Sequence, residues 1–298
     1  MKLKKILDYL KCPHCNNQKL LLKAKKELIC GKCKKTFKVI NGVPILIDKE
    51  HLGAQEKNQI EWFEDHYSKF SKEEYCLENW RLSMVERIFS AVKKGTVKTY
   101  LDIGCGATGY TAIEGAKRNK WLSFGIDIST EAMLRAKNLA KKQEVEDKTA
   151  FVVCSAENLP FKPEVFDYVS AVSLLEHLEK DTEAIKSISQ IIRKKGWLYV
   201  CVPNTYKKMW PFLWPVYRYI DYKIGHKRHY SIEDLGKKTR AAGFRKINVF
   251  YNAHLIKLGQ IILEKMRLID DKNWWKLERK DINTGQTGIQ LNAIFEKR

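Results

Sequence analysis

The chain has 298 residues, 44% of them hydrophobic, enough to bury a full core with room for one large domain and a small one. Its 55 Lys+Arg against 35 Asp+Glu give a net charge of +20, which suits an anionic partner as well as it suits a plainly lysine-rich, solvated surface. A membrane span is excluded because no apolar run reaches about 18 residues, and eight cysteines over this length make no disulfide scaffold.

A reducing, cytoplasmic setting is therefore expected. Asp8 and Lys11 interrupt the first apolar run, so no secretion signal is expected there. Residues 1–40 hold twelve lysines against Asp8 and Glu27, half of the total net charge. Within them lie Cys12-Pro-His-Cys15 and Cys30-Gly-Lys-Cys33. Each pair sets two sulfurs on one tight turn, and two such turns facing each other complete a tetrahedral four-sulfur site for structural Zn²⁺. Four sulfurs leave no open position for catalysis, and His14 is read as a bystander. The fourteen residues between the pairs accommodate a hairpin (20–22 and 27–29), and Asn41-Gly42 marks a second tight turn. Residues 5–48 resemble the small zinc-ribbon proteins that activate tRNA and protein methyltransferases, here fused to another domain. That resemblance leaves the acceptor open and admits a protein partner.

Residues 49–58 are polar and read as a linker. From Ile60 to Val92 the pattern is helical and aromatic, with Tyr67 and Trp80 the first residues to inspect beside a ligand.

The stretch that organises the chain is Tyr100-Leu-Asp-Ile-Gly-Cys-Gly-Ala-Thr-Gly-Tyr110. An apolar strand breaks into Gly104, Gly106 and Gly109, and a helical run follows. Glycines there let the backbone turn tightly and approach a ligand at a helix N-terminus. Asp102 sits inside the motif, where a carboxylate would repel a pyrophosphate but could hold a cationic amino group. Asp127 ends the next apolar run, 21 positions past Gly106, about where a strand-end acid meets ribose hydroxyls. A ligand with adenosine and an amino acid, and no phosphate, fits both acids.

Leu101-Asp-Ile-Gly-Cys-Gly106, Gly125-Ile-Asp-Ile-Ser129, Ser155-Ala-Glu-Asn-Leu-Pro-Phe161, Phe166-Asp-Tyr-Val169 and Leu174-Leu-Glu-His-Leu178 resemble, in order and spacing, the motifs of class I S-adenosylmethionine-dependent methyltransferases (type 11-like) over residues 97–250. The resemblance implies a Rossmann-like α/β fold: a seven-stranded, mostly parallel sheet with helices on both faces. It implies Asp102, Gly104, Cys105 and Gly106 at the methionine part, Asp127 and Ile128 at the ribose, Ser155, Ala156 and Glu157 around the adenine, and Leu174 near the sulfonium. The helical segment before the glycine turn is implied to cap the cleft. Thr108 stands where many relatives have glycine, and Ser155 where many have aspartate. The expected organisation is a zinc ribbon (1–48), a linker and helical cap (49–96), and a methyltransferase domain (97–298) with insertions near 203–230 and 252–288.

Strands are expected at 99–103, 122–126, 150–153, 166–172, 197–202, 246–251 and 290–295, with helices near 109–118, 130–142, 181–193 and 232–242. Gly196 reads as a helix C-cap. His177 follows the fourth strand and is either a base at the cleft or a helix-start histidine bonded to backbone. Residues 203–230 are dense in aromatics, with Pro211 and Pro215. They could roof an acceptor pocket, pack as an ordinary excursion, or rest on a membrane surface. Gly225-His-Lys-Arg-His-Tyr-Ser231 resembles a passage of small-molecule and lipid methyltransferases, which makes His226, Arg228, His229 and Tyr230 candidate acceptor contacts; the candidate catalytic groups are His177, His229 and Tyr230. Leu255, Leu258, Ile261, Ile262 and Met266 recur at helical spacing, as in an amphipathic helix.

Three functions are open: methyl transfer to a small or lipid-linked metabolite, methylation of RNA gripped by the basic ribbon, and a non-catalytic, cofactor-binding scaffold that docks a protein.

Overall fold

The computed structural model describes every residue except 25, 49, 51, 69–78, 94, 209–210, 212–213 and 253–287. In the first 48 residues, helix α1 (Leu3–Leu7) precedes β1 (Leu20–Lys23), β2 (Glu27–Cys30), β3 (Thr36–Ile40) and β4 (Val43–Pro44), an antiparallel sheet in that order. Helices α2 (Ala54–Ser68) and α3 (Asn79–Ser90) follow. The body then alternates through β5 (Thr99–Ile103), α4 (Tyr110–Asn119), β6 (Leu122–Asp127), α5 (Thr130–Lys142), β7 (Thr149–Val153), β8 (Phe166–Val172), α6 (Asp181–Ile191) and β9 (Ile192–Pro203). It closes with α7 (Trp214–Ile224), α8 (Ile232–Ala241), β10 (Phe244–Asn252) and β11 (Gln290–Lys297).

The body strands form a seven-stranded sheet in the order β10-β11-β9-β8-β5-β6-β7, mostly parallel, with β11 antiparallel to both of its neighbours. Every residue of β5 and β7 is buried, as strands covered on both faces require. Alternation sorts their side chains. Tyr100 packs with Tyr168 and Tyr199 on one face, and Leu101 and Ile103 join Phe124, Val169 and Leu198 on the other. Helix α5 shows how the intervening runs become helical: Ser129 caps it by accepting from the Ala132 N–H, and Ala132, Met133, Ala136, Leu139 and Ala140 form its buried stripe. β5 pairs in parallel with both β6 and β8, so chain order reverses at its carboxyl end. A crevice at that reversal is where open α/β sheets hold ligands.

One expectation changes. Gly196 is not a helix C-cap: α6 stops at Ile191, Lys195 takes a φ of 62°, and Gly196 lies within β9. A Cβ there would stand 2.8 Å from the Asp167 carbonyl, so the glycine serves a close backbone approach. The aromatic excursion carries helix α7 despite Pro215, because proline at the start of a helix gives up only an N–H that has no partner there. The amphipathic pattern over residues 255–266 falls outside the described residues, as does the side chain of Trp80.

The four-stranded N-terminal sheet, the expected ribbon, is not an appendage. Ile45 bridges in parallel to Val153 on the edge strand β7, and the Leu46 N–H donates to the Val153 carbonyl at 2.7 Å. The Lys11 N–H donates to Pro160 and the Lys162 N–H to Tyr9, while the Tyr9 ring lies 4.7 Å from Phe124. Leu10, Leu28 and Leu46 share one core with Phe161 and Phe166. Each such side chain contributes roughly 2 kcal/mol by burial, so ribbon and sheet stabilise each other. The pairing also covers a sheet edge.

Candidate active site

At the carboxyl end of β5 the chain turns through Gly104 (φ 73°) and Gly106 (φ 62°), both in the left-handed region. A Cβ on Gly104 would come within 3.1 Å of Leu174, and one on Gly106 within 3.2 Å of the Tyr67 hydroxyl. The turn is therefore tight both in conformation and in space. Helix α4 begins directly after it without a side-chain cap. Asp127, at the end of β6, accepts from the Gly106 N–H and the Ser129 N–H, each at 3.1 Å. Burial raises its carboxyl to about 6 against the pull of those donors, with Glu64 adding to the rise.

A cavity of about 180 Å³ opens here, lined by Gly104, Asp127, Ile128, Ser155, Ala156, Glu157, Leu174 and His177 among others. Seven of the ten expected cofactor residues thus meet in one chamber. Asp102, Cys105 and Gly106 do not line it. The carboxylate of Asp102 is buried beneath the turn, accepting from the Ser170 hydroxyl at 2.6 Å and from the Thr111 hydroxyl. Burial raises it to about 6 against those two donors. Cys105 turns its sulfur toward Gly125, where a Cβ would stand 2.7 Å from it.

Helix α2 roofs the chamber. Glu56, Gln59, Phe63 and Tyr67 fall on one helical face and all line it. The helix is pinned at two points. Glu56 accepts from the Ser155 hydroxyl at 2.6 Å. Glu64 accepts from the Thr130 N–H at 2.6 Å and from the Glu131 N–H and Ser129 hydroxyl at 3.0 Å, a carboxylate on the N-terminus of α5. Of these roof residues, sequence reasoning singled out only Tyr67. The stripe was readable as spacing, but not what it would cover.

Past Leu174 lies a second group. His177 lines the chamber, and its ring stands 4.9 Å from His226. Asp221, from α7, draws in His226 Nδ1 at 2.7 Å, His229 Nε2 at 2.8 Å and the Tyr206 hydroxyl. His229 Nδ1 meets the Asn204 carbonyl at 2.6 Å, so both of its ring nitrogens are engaged. Glu176 is fully buried beside this network, and burial pushes its carboxyl up to about 8. Burial and the neighbouring His226 hold the His177 imidazole down at about 4. Tyr230 is not brought to the chamber: its hydroxyl lies 2.7 Å from Asp181 and 3.0 Å from the Leu175 carbonyl. Arg228 likewise pairs with Asp181 at 3.0 Å.

In the ribbon, the sulfurs of Cys12, Cys15, Cys30 and Cys33 converge within 4.8 Å of one another. The Cys12–Cys33 and Cys15–Cys30 separations are 3.7 and 3.5 Å. A tetrahedron with zinc–sulfur bonds of about 2.3 Å has edges of about 3.8 Å. The N–H groups of Lys32 and Cys33 point at the Cys30 sulfur, as for a thiolate. The donor set fits Zn²⁺, and four sulfurs close the site.

Residues 101–200 match the family described as a methyltransferase domain. The match spans about a third of the chain. The 27-O-demethylrifamycin SV methyltransferase of Amycolatopsis mediterranei is 30% identical over 148 residues, which cover 48% of this chain and 54% of that protein. The mitochondrial ubiquinone biosynthesis O-methyltransferase of Saccharomyces cerevisiae is 29% identical over 143 residues, covering 47% and 44%. The chain spans about half the length of these curated relatives. The fold recurs in a geranyl diphosphate C-methyltransferase from Streptomyces coelicolor, with a TM-score of 0.60 and 11% identity, covering 83% of this chain and 99% of that one. The glycine turn, Asp127 and Leu174 all fall inside the matched residues; the ribbon, α2 and α7 fall outside them.

Proposed function

We propose that this chain transfers a methyl group from S-adenosylmethionine to a small or lipid-linked acceptor. The reading rests on one observation: Asp127, with an oxygen fixed by the Gly106 N–H, sits in a roofed chamber at the strand-order reversal. S-Adenosylmethionine supplies a methyl on a sulfonium, already activated for in-line displacement. The remaining work belongs to the chain. Asp127 accepts from the ribose hydroxyls, and Ile128, Ser155, Ala156 and Glu157 border the adenine. Gly104 lets the backbone come close, and Leu174 packs beside the reacting centre. Asp102 holds the turn in shape from beneath through Thr111 and Ser170, and the Gly106 N–H holds Asp127. Helix α2 excludes water.

The acceptor enters from the side of α7. His177 lines both the chamber and the depression beside it, and faces the acceptor as a neutral imidazole. Asp221 holds Tyr206, His226 and His229 together on that side. Two curated relatives are named for 27-O-demethylrifamycin SV and for ubiquinone biosynthesis, which supports this acceptor class. Labelled-methyl transfer to separated RNA, lipid and small-metabolite pools tests it. Label in the lipid or small-metabolite pool is expected. Label in RNA would replace the acceptor class, and label in no pool would leave a cofactor-binding scaffold.

Cys12, Cys15, Cys30 and Cys33 would hold Zn²⁺, which supplies a cross-link between the two turns. Because the ribbon shares its core with the sheet, Cys12→Ser with Cys30→Ser is expected to destabilise the whole chain, read as a fall in melting temperature. An unchanged melting curve would contradict the structural role.

A further inference from the structure

Glu176 has no role in the scheme above, yet it is 0% exposed and carries no hydrogen-bond partner on either carboxylate oxygen among the described residues. Burying such a group uncompensated is costly, so something must balance it. Three ligand-type atoms, one each from Glu176, His177 and His226, lie within 4.8 Å of one another. The geometry of His226 narrows the choice. Its Nδ1 is bonded to Asp221 at 2.7 Å, which places the ring proton there and leaves Nε2 bare. That bare nitrogen faces Glu176 Oε1 at 3.8 Å. Two lone pairs at this separation repel. The gap is too long for a hydrogen bond, but both atoms can reach a single ion with bonds of about 2.1 Å.

We propose that Glu176, His177 and His226 form a divalent transition-metal site, separate from the four-sulfur centre. Two imidazoles and one carboxylate suit Zn²⁺ or a similar ion and disfavour Mg²⁺. Asp221 is the positioning residue, a carboxylate behind a ligand histidine of the kind that fixes tautomer and ring direction. A three-ligand set leaves positions open. His177 also lines the depression formed with Gln59, Phe63 and Tyr222, so those positions suit an acceptor oxygen, hydroxyl or carboxylate. The assignment stands on geometry and does not depend on the reaction being methyl transfer.

The test is the zinc content of the full chain after loading with Zn²⁺ and dialysis. About two ions per chain are expected, against about one for the ribbon alone. Glu176→Gln and His226→Gln should each remove the second ion and keep the first, with melting behaviour retained. If Glu176→Gln does not fold, His226→Gln carries the same readout from a less buried position. Asp221→Asn should weaken the second site about 10- to 100-fold. In Co²⁺-loaded protein the second equivalent should add weak visible bands without thiolate charge transfer. Replacing Zn²⁺ with Mg²⁺ should fill neither site. One zinc ion per chain in the wild type, or a second ion that both variants leave in place, would overturn the assignment and mark Glu176 as a protonated, neutral acid.

Discussion

The two halves of the cleft are built in different ways. The half proposed for the cofactor is made by backbone: two left-handed glycines, two adjacent strand ends and the N–H groups that hold Asp127. The half proposed for the acceptor is made by side chains. Tyr206 after β9, Asp221 on α7, and His226 and His229 beyond it meet in one network, with Glu176 and His177 after β8 beside it. Backbone geometry suits a ligand common to many enzymes, because it needs few particular side chains. A side-chain network suits selectivity, because each member can be exchanged without disturbing the sheet. Substitutions on the two halves should therefore separate cofactor affinity from acceptor turnover.

The largest effect is expected at Asp127→Ala. It removes charge-assisted hydrogen bonds to the ribose and should weaken cofactor binding by about 3 kcal/mol, on the order of 100-fold. Calorimetry checks it, and the loss should be the same whichever acceptor is present. Asp221→Asn is the counterpart. Methyl transfer should fall about tenfold or more while cofactor affinity stays put. Equal losses in both measurements would erase the distinction between the halves.

Acidity gives a third handle. Burial sets the free Asp127 carboxyl near 6, and a bound ribose favours its charged form. Cofactor affinity should thus be full above pH 6 and fall as pH drops through it, by up to about tenfold per unit. Asp127→Asn should flatten that profile. The smallest effect belongs to the roof. Glu56→Gln exchanges a charge-assisted bond to Ser155 for a neutral one, worth about 1 kcal/mol, so cofactor affinity should shift about fivefold at most.

Much of the chamber's lining was legible in the sequence because its signals are local. A strand, a glycine turn and an acid one strand later leave their marks within thirty residues, and the paired cysteines do the same in the ribbon. The strand limits came within a few residues for the same reason, except at β9, where Lys195 and Gly196 bend a strand in a way that spacing alone reads as a helix end. What spacing does not carry is direction. Asp102 and Asp127 look alike in sequence, yet Thr111 and Ser170 claim the first and turn it beneath the chamber. Glu56 and Glu64 read as solvated charges on a polar stretch, because Ser155 and the start of α5, which they clasp, lie far along the chain. The docking of the ribbon on β7 and the burial of Glu176 are of the same kind: each needs partners that only the fold supplies.

The central claim, that the chamber under α2 holds S-adenosylmethionine, is tested most directly by titrating the purified chain with that compound and with S-adenosylhomocysteine in a calorimeter, alongside Asp127→Ala. Saturable heat with both ligands in the wild type, and its loss in the variant with the melting curve unchanged, is the expected result. A folded wild type that gives no heat with either ligand, or a variant that binds both as well as the wild type does, would contradict it.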